Sequence, residues 1–457
     1  MDGVFVAVGR GDGRFSGMGE RRGAIGAIAR SIGGRMLRVP IAYAKPGMVL
    51  AMPILHPRRP DTVLLNDGIE LDGRSIDRLA EIHLRDLWIR MPGMEFLCEY
   101  YCPEVFRAQA SLTAKIGGAL DMAREGSHAR FEFSEYRSAV MTLVDRLILF
   151  PRSALFMQEL ADRDQPALRH AASVCMLSVL MGLKLDDYLI VERSRLSSHG
   201  ARDVASLGVG AMMHDIGMLR LDPIVMERWK RTHDETDAEW RAHVSLGYEM
   251  VKDSLGPVAS AAVLHHHQRF DGSGFPKRVR LDGKEEALSG SEIHVFARIV
   301  ACADVFDRLR HGSSDGVGGT GEVTPTVRVL GAMLREPYAS WIDPMVIKAL
   351  LAVVPAYAPG TLVRLNTGER CVVTEWFADD PCRPNVQVVG ELESASTMRE
   401  RVRFALAHDA TRWIAEAEGQ DVSADNFYPD YPGQFDLRLA ERALFNSAAK
   451  ASGGRAA

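Results

Sequence analysis

The sequence predicts a mainly α protein: a helical bundle with a small α+β module ahead of it and a short β-rich appendage behind it. Three observations lead there. Helical periodicity dominates from about Leu168 to Val354, interrupted by loops at 197–200, 271–283 and 312–324. Residues 37–98 instead hold short apolar runs, Val39-Pro40-Ile41, Met48-Val49-Leu50 and Val63-Leu64-Leu65, broken by Lys45-Pro46-Gly47 and Asn66-Asp67-Gly68. Such punctuation marks strands and tight turns. After the helical region, Thr361–Leu365, Arg370–Trp376 and Val386–Val389 alternate as strands around the turn Asn366-Thr367-Gly368.

Taken in order, residues 1–36 are Gly- and Arg-rich with no apolar period and are expected to be disordered, with Met36 an alternative start. Residues 37–98 form the α+β module, with a helix over Ser75–Leu84 and a last strand at Leu87–Ile89. Residues 99–165 read as a helical connector broken near Gly126-Ser127-His128, and 166–350 as the principal helical domain. Residues 351–395 form the β appendage, and the polar, Ala-rich stretch 396–457 is expected to be a weakly packed tail. No internal repeat is present.

With 457 residues, 47% of them hydrophobic, the chain can bury more than one core, and roughly three units are expected. Fifty-five basic against sixty acidic residues give a net charge of −5, which argues against binding a nucleic-acid polymer. Six scattered cysteines fit a reduced, cytoplasmic protein. The apolar stretch Val174–Leu183 is about half the length a bilayer requires, so no membrane segment is expected.

Histidine carries the chemistry. Of fourteen, nine lie between His170 and His294. Val204, Leu207, Gly208 and Ala211 follow the spacing of a buried helical stripe, and Asp215 falls on it. A buried carboxylate needs a cation, and His214 stands beside it. His170 precedes the apolar run Val174–Leu180, and His243 sits on a predicted helix Ala238–Val251. His266 and His267 end the apolar helix Val258–Leu264, and Asp304 follows Ile299–Ala303. Singly, each reads as a core or cap residue. Together, His170, His214, Asp215, His243, His266, His267 and Asp304 read as a metal-ligand set. Nitrogen and oxygen ligands without thiolate suit Fe or Mn foremost, then Ni or Mg. Seven ligands exceed the needs of one ion, so two divalent transition metals are expected, with Asp215 bridging them and central to catalysis. Two such ions activate a bridging water for phosphodiester hydrolysis.

In order and spacing, His170, His214-Asp215-Ile216-Gly217, His243 with Gly247, His266-His267, Asp271–Pro276 and Arg298–Asp307 resemble the HD-GYP family, across roughly residues 165–350. The segments Lys45–Met48 and Gly360–Glu369 are similar to stretches flanking this domain in related proteins. The resemblance implies an HD-type helical bundle, a cyclic di-GMP phosphodiesterase yielding pGpG or GMP, and substrate contacts at Asp307, Arg308 and Phe275. A small-molecule cyclic dinucleotide is thus the expected ligand, with a homodimer or a signalling-protein partner as further expectations.

The departures from the family pattern lie around the substrate. Its lysine after the His-Asp pair is Met218, its Tyr is Phe275, and the Glu after the paired histidines is Gln268. Its Arg-Pro-Tyr element gives way to Gly312–Gly319, and the glutamate that supports a third metal in some members is Pro166. Arg308 and Arg310 read equally as replacements for the lost phosphate contacts and as solvated side chains. Weak activity is expected. Two other readings stand beside it: an HD phosphohydrolase acting on another nucleotide, and a non-catalytic nucleotide-binding or scaffold protein.

Overall fold

The computed structural model describes residues 37–41, 44–56, 59–82, 84, 86–90, 100, 102–125, 131–152, 166–280, 282–312, 323–389 and 402–444. The expected disorder of residues 1–36, the break at 126–128 and most of the loop 312–324 lie outside them.

Alternating apolar residues and Gly-bearing turns build the first module. Strand β1 (Leu37–Pro40) pairs antiparallel with β4 (Asp86–Ile89), and β2 (Ile54–His56) with β3 (Arg59–Leu65). Residues 48–50 make isolated bridges, Val49 to Glu70 and Leu50 to Ile89, in place of the expected strand. Helix α1 (Gly73–Glu81) starts at Asp72, whose carboxylate accepts from the Ser75 N–H at 2.7 Å and caps the first turn. Leu50, Leu71, Leu79, Leu87 and Ile89 form the module's core, which Val372 of the C-terminal sheet completes.

The bundle comprises α2 (Pro103–Glu125), α3 (Phe133–Leu149), α4 (Pro166–Lys184), α5 (Asp186–Glu192), α6 (Ala205–Met213), α7 (Pro223–Thr232), α8 (His243–Val251), α9 (Pro257–His265), α10 (Val295–His311), α11 (Thr326–Met333) and α12 (Pro344–Leu351). Aspartates at Asp222 and Asp343 cap α7 and α12, each with a proline in the first turn. Helix α6 lies against α3, α4 and α9 and is buried on nearly every side, from Ala205 to Met213. A helix apolar all round belongs to a core centre rather than to an amphipathic face. Helix α4 is long and apolar enough to cross a membrane, and 67% of its apolar window is buried within the protein.

Four expectations change. The region expected as a connector contributes α2 and α3, whose Val105, Leu112, Ile116, Val140 and Leu143 share the bundle's core. The predicted helix Ala238–Val251 is two helices, Ala238–Arg241 and α8, with Ala242 as a turn between them. Helix α6 ends at Met213, so Asp215 lies just past its end rather than on its stripe. The expected tail folds onto the protein. Beyond a two-stranded ribbon of β5 (Arg278–Val279) and β6 (Glu285–Glu286), strands β7 (Leu362–Leu365), β8 (Arg370–Glu375), β9 (Asn385–Val388), β10 (Arg403–Ala405), β11 (Ile414–Ala417) and β12 (Gln420–Asp421) form one antiparallel sheet in the order β10-β9-β8-β7-β11-β12. Leu406, Ile414, Val422, Phe435 and Leu437 from the supposed tail are buried in the main core.

Candidate metal centre

Five helices or their ends deliver the site. His170 comes from the first turns of α4, His214 and Asp215 from the end of α6, and His243 from the start of α8. His266 and His267 follow α9, and Asp304 and Asp307 lie one turn apart on α10. Close backbone approach makes this convergence possible. A Cβ on Gly210 would lie 2.9 Å from Ala262 Cβ and 3.0 Å from the Ala259 carbonyl oxygen, so only glycine lets α6 lie so close to α9. At Gly217 a Cβ would lie 2.0 Å from the His243 carbonyl oxygen and 2.5 Å from the Gly247 nitrogen. The turn after Asp215 therefore rests directly on α8 and sets His243 beside the carboxylate.

The two oxygens of Asp215 face different histidines. Oδ1 lies 3.5 Å from His243 Nε2 and 3.4 Å from His266 Nε2. Oδ2 lies 3.5 Å from His170 Nε2 and 3.6 Å from His214 Nε2. Two candidate ligand groups result, Asp215 with His243, His266 and His267, and Asp215 with His170 and His214. Asp304 joins the second, its Oδ1 being 3.3 Å from His170 Nε2. His267 stands further back, with Nδ1 4.0 Å from Asp304 Oδ2. The side chains of His214, His243 and His266 are 0% exposed and that of Asp215 is 32% exposed, so the site opens to solvent over Asp215.

Outer contacts orient the rings. His214 Nδ1 donates to the Ala211 carbonyl at 2.8 Å, His243 Nδ1 to Trp240 at 2.7 Å and His266 Nδ1 to Val263 at 2.7 Å. A carbonyl accepts only from an N–H, so the proton sits on Nδ1 and the Nε2 lone pair points inward when the ring is neutral. Burial lowers the pKa of His214 and of His243 to about 4 each. It also drives His267 well below the usual value. These rings are neutral and fit to bind a cation at neutral pH. Burial opposes charge on His170 as well, but hydrogen bonds to Asp304 and Asp307 outweigh it and raise its pKa to about 10. Burial likewise disfavours ionised Asp215, yet the imidazoles around it, His214 foremost, hold its carboxyl well below the ordinary range.

This donor set fits a metal. Around His170 Nε2 stand His214 Nε2 at 3.1 Å, Asp304 Oδ1 at 3.3 Å and Asp215 Oδ2 at 3.5 Å, three acceptors for one N–H. His243 and His266 bring their Nε2 atoms within 3.5 Å of each other beside Asp215 Oδ1. Asp304 Oδ2 is buried without a hydrogen bond, Arg308 Nη2 lying 2.8 Å away in ion-pair contact but out of line. Acceptors in such excess call for cationic charge.

The residues expected at the substrate are placed differently. Asp307 is 1% exposed and accepts from His170 Nδ1 at 2.7 Å, with Arg169 and His311 around it. It therefore stands behind His170, where it fixes the ring. Phe275 is packed away as well, stacked on His267 with centroids 4.7 Å apart and clustered with Trp240, Val225 and Val244. Met218 packs against that same cluster. Arg308 is at the site, on Asp304 and on Glu235, whose Oε1 lies 2.5 Å from Arg308 Nη1. Arg310 turns away, pairing with Glu418 at 2.7 Å. Sequence reasoning missed Glu235, Arg269 and the orienting role of Asp307. Only the last left a signal, a second aspartate one helical turn after Asp304.

Comparison with known proteins agrees with this geometry. Residues 155–344 match the model of the HD domain family. A cyclic di-GMP phosphodiesterase of Pseudomonas aeruginosa is 27% identical over 297 residues, covering 63% of this chain and 61% of that protein. The cyclic di-GMP phosphodiesterase response regulator RpfG of Xanthomonas campestris pv. campestris is 35% identical over 125 residues, 26% of this chain and 30% of that one. The 3'3'-cGAMP-specific phosphodiesterase 2 of Vibrio cholerae is 32% identical over 100 residues, 21% of this chain and 17% of that one. The chain thus spans less than two thirds of each of these relatives. Residues 155–344 thus carry an HD domain, and the motifs set out above stand in it in the order that resembles the HD-GYP family.

Proposed function

We propose that this protein is a metal-dependent phosphodiesterase that hydrolyses cyclic di-GMP to pGpG or GMP, with two divalent transition metals, Fe or Mn, held by His170, His214, Asp215, His243, His266, His267 and Asp304. The observation that carries the reading is the division of Asp215, one oxygen toward His243 and His266, the other toward His170 and His214. A carboxylate so placed would help to hold one ion with His243 and His266 and another with His170 and His214. Bound there, such a pair supplies Lewis-acid activation of water and of the phosphoryl oxygens. The chain's own residues hold and orient. Carbonyls of Ala211, Trp240 and Val263 and the carboxylate of Asp307 fix four imidazoles before any ligand arrives. Preset rings lose little freedom when they bind a cation. The exposed edge of Asp215 marks where a phosphodiester enters, and the Arg308 guanidinium nearby supplies positive charge for a phosphate. Curated relatives named for cyclic di-GMP support the substrate class; one named for 3'3'-cGAMP makes that dinucleotide the first competitor to test.

A second reading, nucleotide binding without turnover, has one specific observation in its favour. Both terminal nitrogens of Arg308 already lie on carboxylates, and Met218 is packed on an apolar cluster where the family pattern has lysine. Anaerobically purified protein loaded with Fe or Mn, incubated with each cyclic dinucleotide and resolved by chromatography, separates the two. Appearance of pGpG or GMP supports the phosphodiesterase. Binding without product under every metal would replace it with the second reading.

A further inference from the structure

Three arginines gather where the site meets solvent, and one glutamate serves all of them, two through its carboxylate and one through its backbone carbonyl. Glu235 lies in the loop 233–237 between α7 and the helix Ala238–Arg241. Its Oε1 lies 2.5 Å from Arg308 Nη1 and its Oε2 2.7 Å from Arg269 Nη2, while its backbone oxygen accepts from Arg241 Nε at 2.6 Å. The loop is itself anchored. Asp234 accepts from the Thr236 N–H at 2.8 Å, and Asp237 from Arg228 at 2.6 Å.

Two guanidinium groups converging on one pair of oxygens is also how proteins hold the two free oxygens of a phosphodiester. Each arginine keeps a second support of its own. Arg269 lies over the Trp341 ring at 3.4 Å, and Arg308 lies on Asp304. Glu235 is therefore not needed to hold them in place. It is the most replaceable partner, a side chain 27% exposed on a polar loop. The same cleft is lined by His266, His267 and Asp304, so an anion on these arginines would border the candidate metal ligands.

We propose that Arg269 and Arg308 form a phosphate-binding pair for the substrate and that Glu235 occupies it in the resting protein as an internal competitor which the substrate's phosphate displaces. This rests on the phosphodiesterase reading for the identity of the anion, but not for its existence. In chemical terms one carboxylate leaves two guanidinium groups and a phosphodiester takes its place, with no bond made or broken. The lysine of the family pattern is absent at Met218, and this pair supplies a cationic contact from another side of the cleft.

The test uses metal-loaded full-length protein and two probes. Inorganic phosphate, titrated calorimetrically, should bind Glu235→Gln about five- to ten-fold more tightly than wild type, because two partly exposed ion pairs no longer compete. Arg269→Ala in the Glu235→Gln background should erase that gain. With cyclic di-GMP, Glu235→Gln should lower KM by a similar factor and leave kcat unchanged, since a contact made equally in ground and transition states appears in KM alone. If Glu235→Gln fails to fold, Glu235→Asp, one methylene shorter, should give a smaller gain in the same direction. Equal or weaker phosphate binding in the folded variant, or a gain that survives Arg269→Ala, would overturn the proposal. Absence of turnover in every protein while the phosphate gain persists would sink the substrate reading and leave the anion pair standing.

Discussion

At the centre of the site, His214, His243 and His266 are wholly buried and each spends Nδ1 on a carbonyl three residues back. At the rim, Arg269 and Arg308 are 23% and 30% exposed and share a loop carboxylate. The contrast is between groups whose partners are backbone atoms and groups whose partners are exchangeable side chains. Backbone partners cannot be lost without moving a helix, so the centre is preset for one chemistry. Side-chain partners can be traded, so the rim can change its grip on a substrate while the centre stays intact. Three departures from the family pattern, Met218, Gln268 and Phe275, fall outside the converging ligand atoms, and each has a packing or hydrogen-bonding role of its own. Gln268 donates to the Pro276 carbonyl at 2.5 Å, and the other two join the Trp240 cluster.

The largest effect expected is at the centre. Asp215→Asn keeps the shape but loses the charge that faces four imidazoles. Turnover should fall by more than a hundred-fold, roughly beyond what loss of an outer orienting partner costs, and metal content by elemental analysis should drop. Near-normal turnover in this variant would break the assignment of the centre. Next comes Asp307→Asn. Removing the charge behind His170 should cost about ten- to a hundred-fold in metal affinity or activity with the fold retained. An effect on KM alone would instead return Asp307 to the substrate.

Gly217→Ala sharpens the claim that backbone contact builds the centre. A methyl group there meets the His243 carbonyl, so α8 must shift. Overpacking of this kind should cost about 1–3 kcal/mol, read by denaturant unfolding, together with reduced metal content. Full stability with full metal loading would show that the turn has room the structure denies it. The smallest effect is expected at the rim. Met218 is only partly buried, so a lysine can keep its stem on the Trp240 cluster while its ammonium reaches water or a phosphate. Met218→Lys should shift Tm by no more than about 3 °C and lower KM. A large loss of stability would mean that this position belongs to the core.

The centre was readable because imidazoles and carboxylates on apolar helices are costly unless something binds them, and that cost shows in the sequence at each position separately. The end of α6 was not readable. A helix apolar on every side has no stripe from which to take a phase, so spacing placed Asp215 on the helix rather than past His214. Glu235 was hidden for another reason. Its partner Arg308 is 73 residues away, and their meeting depends on how a loop lies across α10. The C-terminal strands escaped because they contribute single apolar residues, Leu406, Ile414 and Val422, to a core otherwise supplied by others. Average composition over such a stretch reads as polar.

Val372 ties the C-terminal sheet to the first module. It lies on β8, yet it is fully buried among Leu50, Leu71 and Leu87 of the first module, with Leu362 and Val389 packed alongside. The described part of residues 37–90 thus packs as a lid on the sheet, not as a detachable accessory. A fragment trimmed to start at the bundle would present that sheet face bare to water, and bare apolar sheet recruits its own kind. Rates measured on such a fragment would describe a self-associated species, and any signal arriving at the first module would reach the sheet through shared packing rather than through a linker.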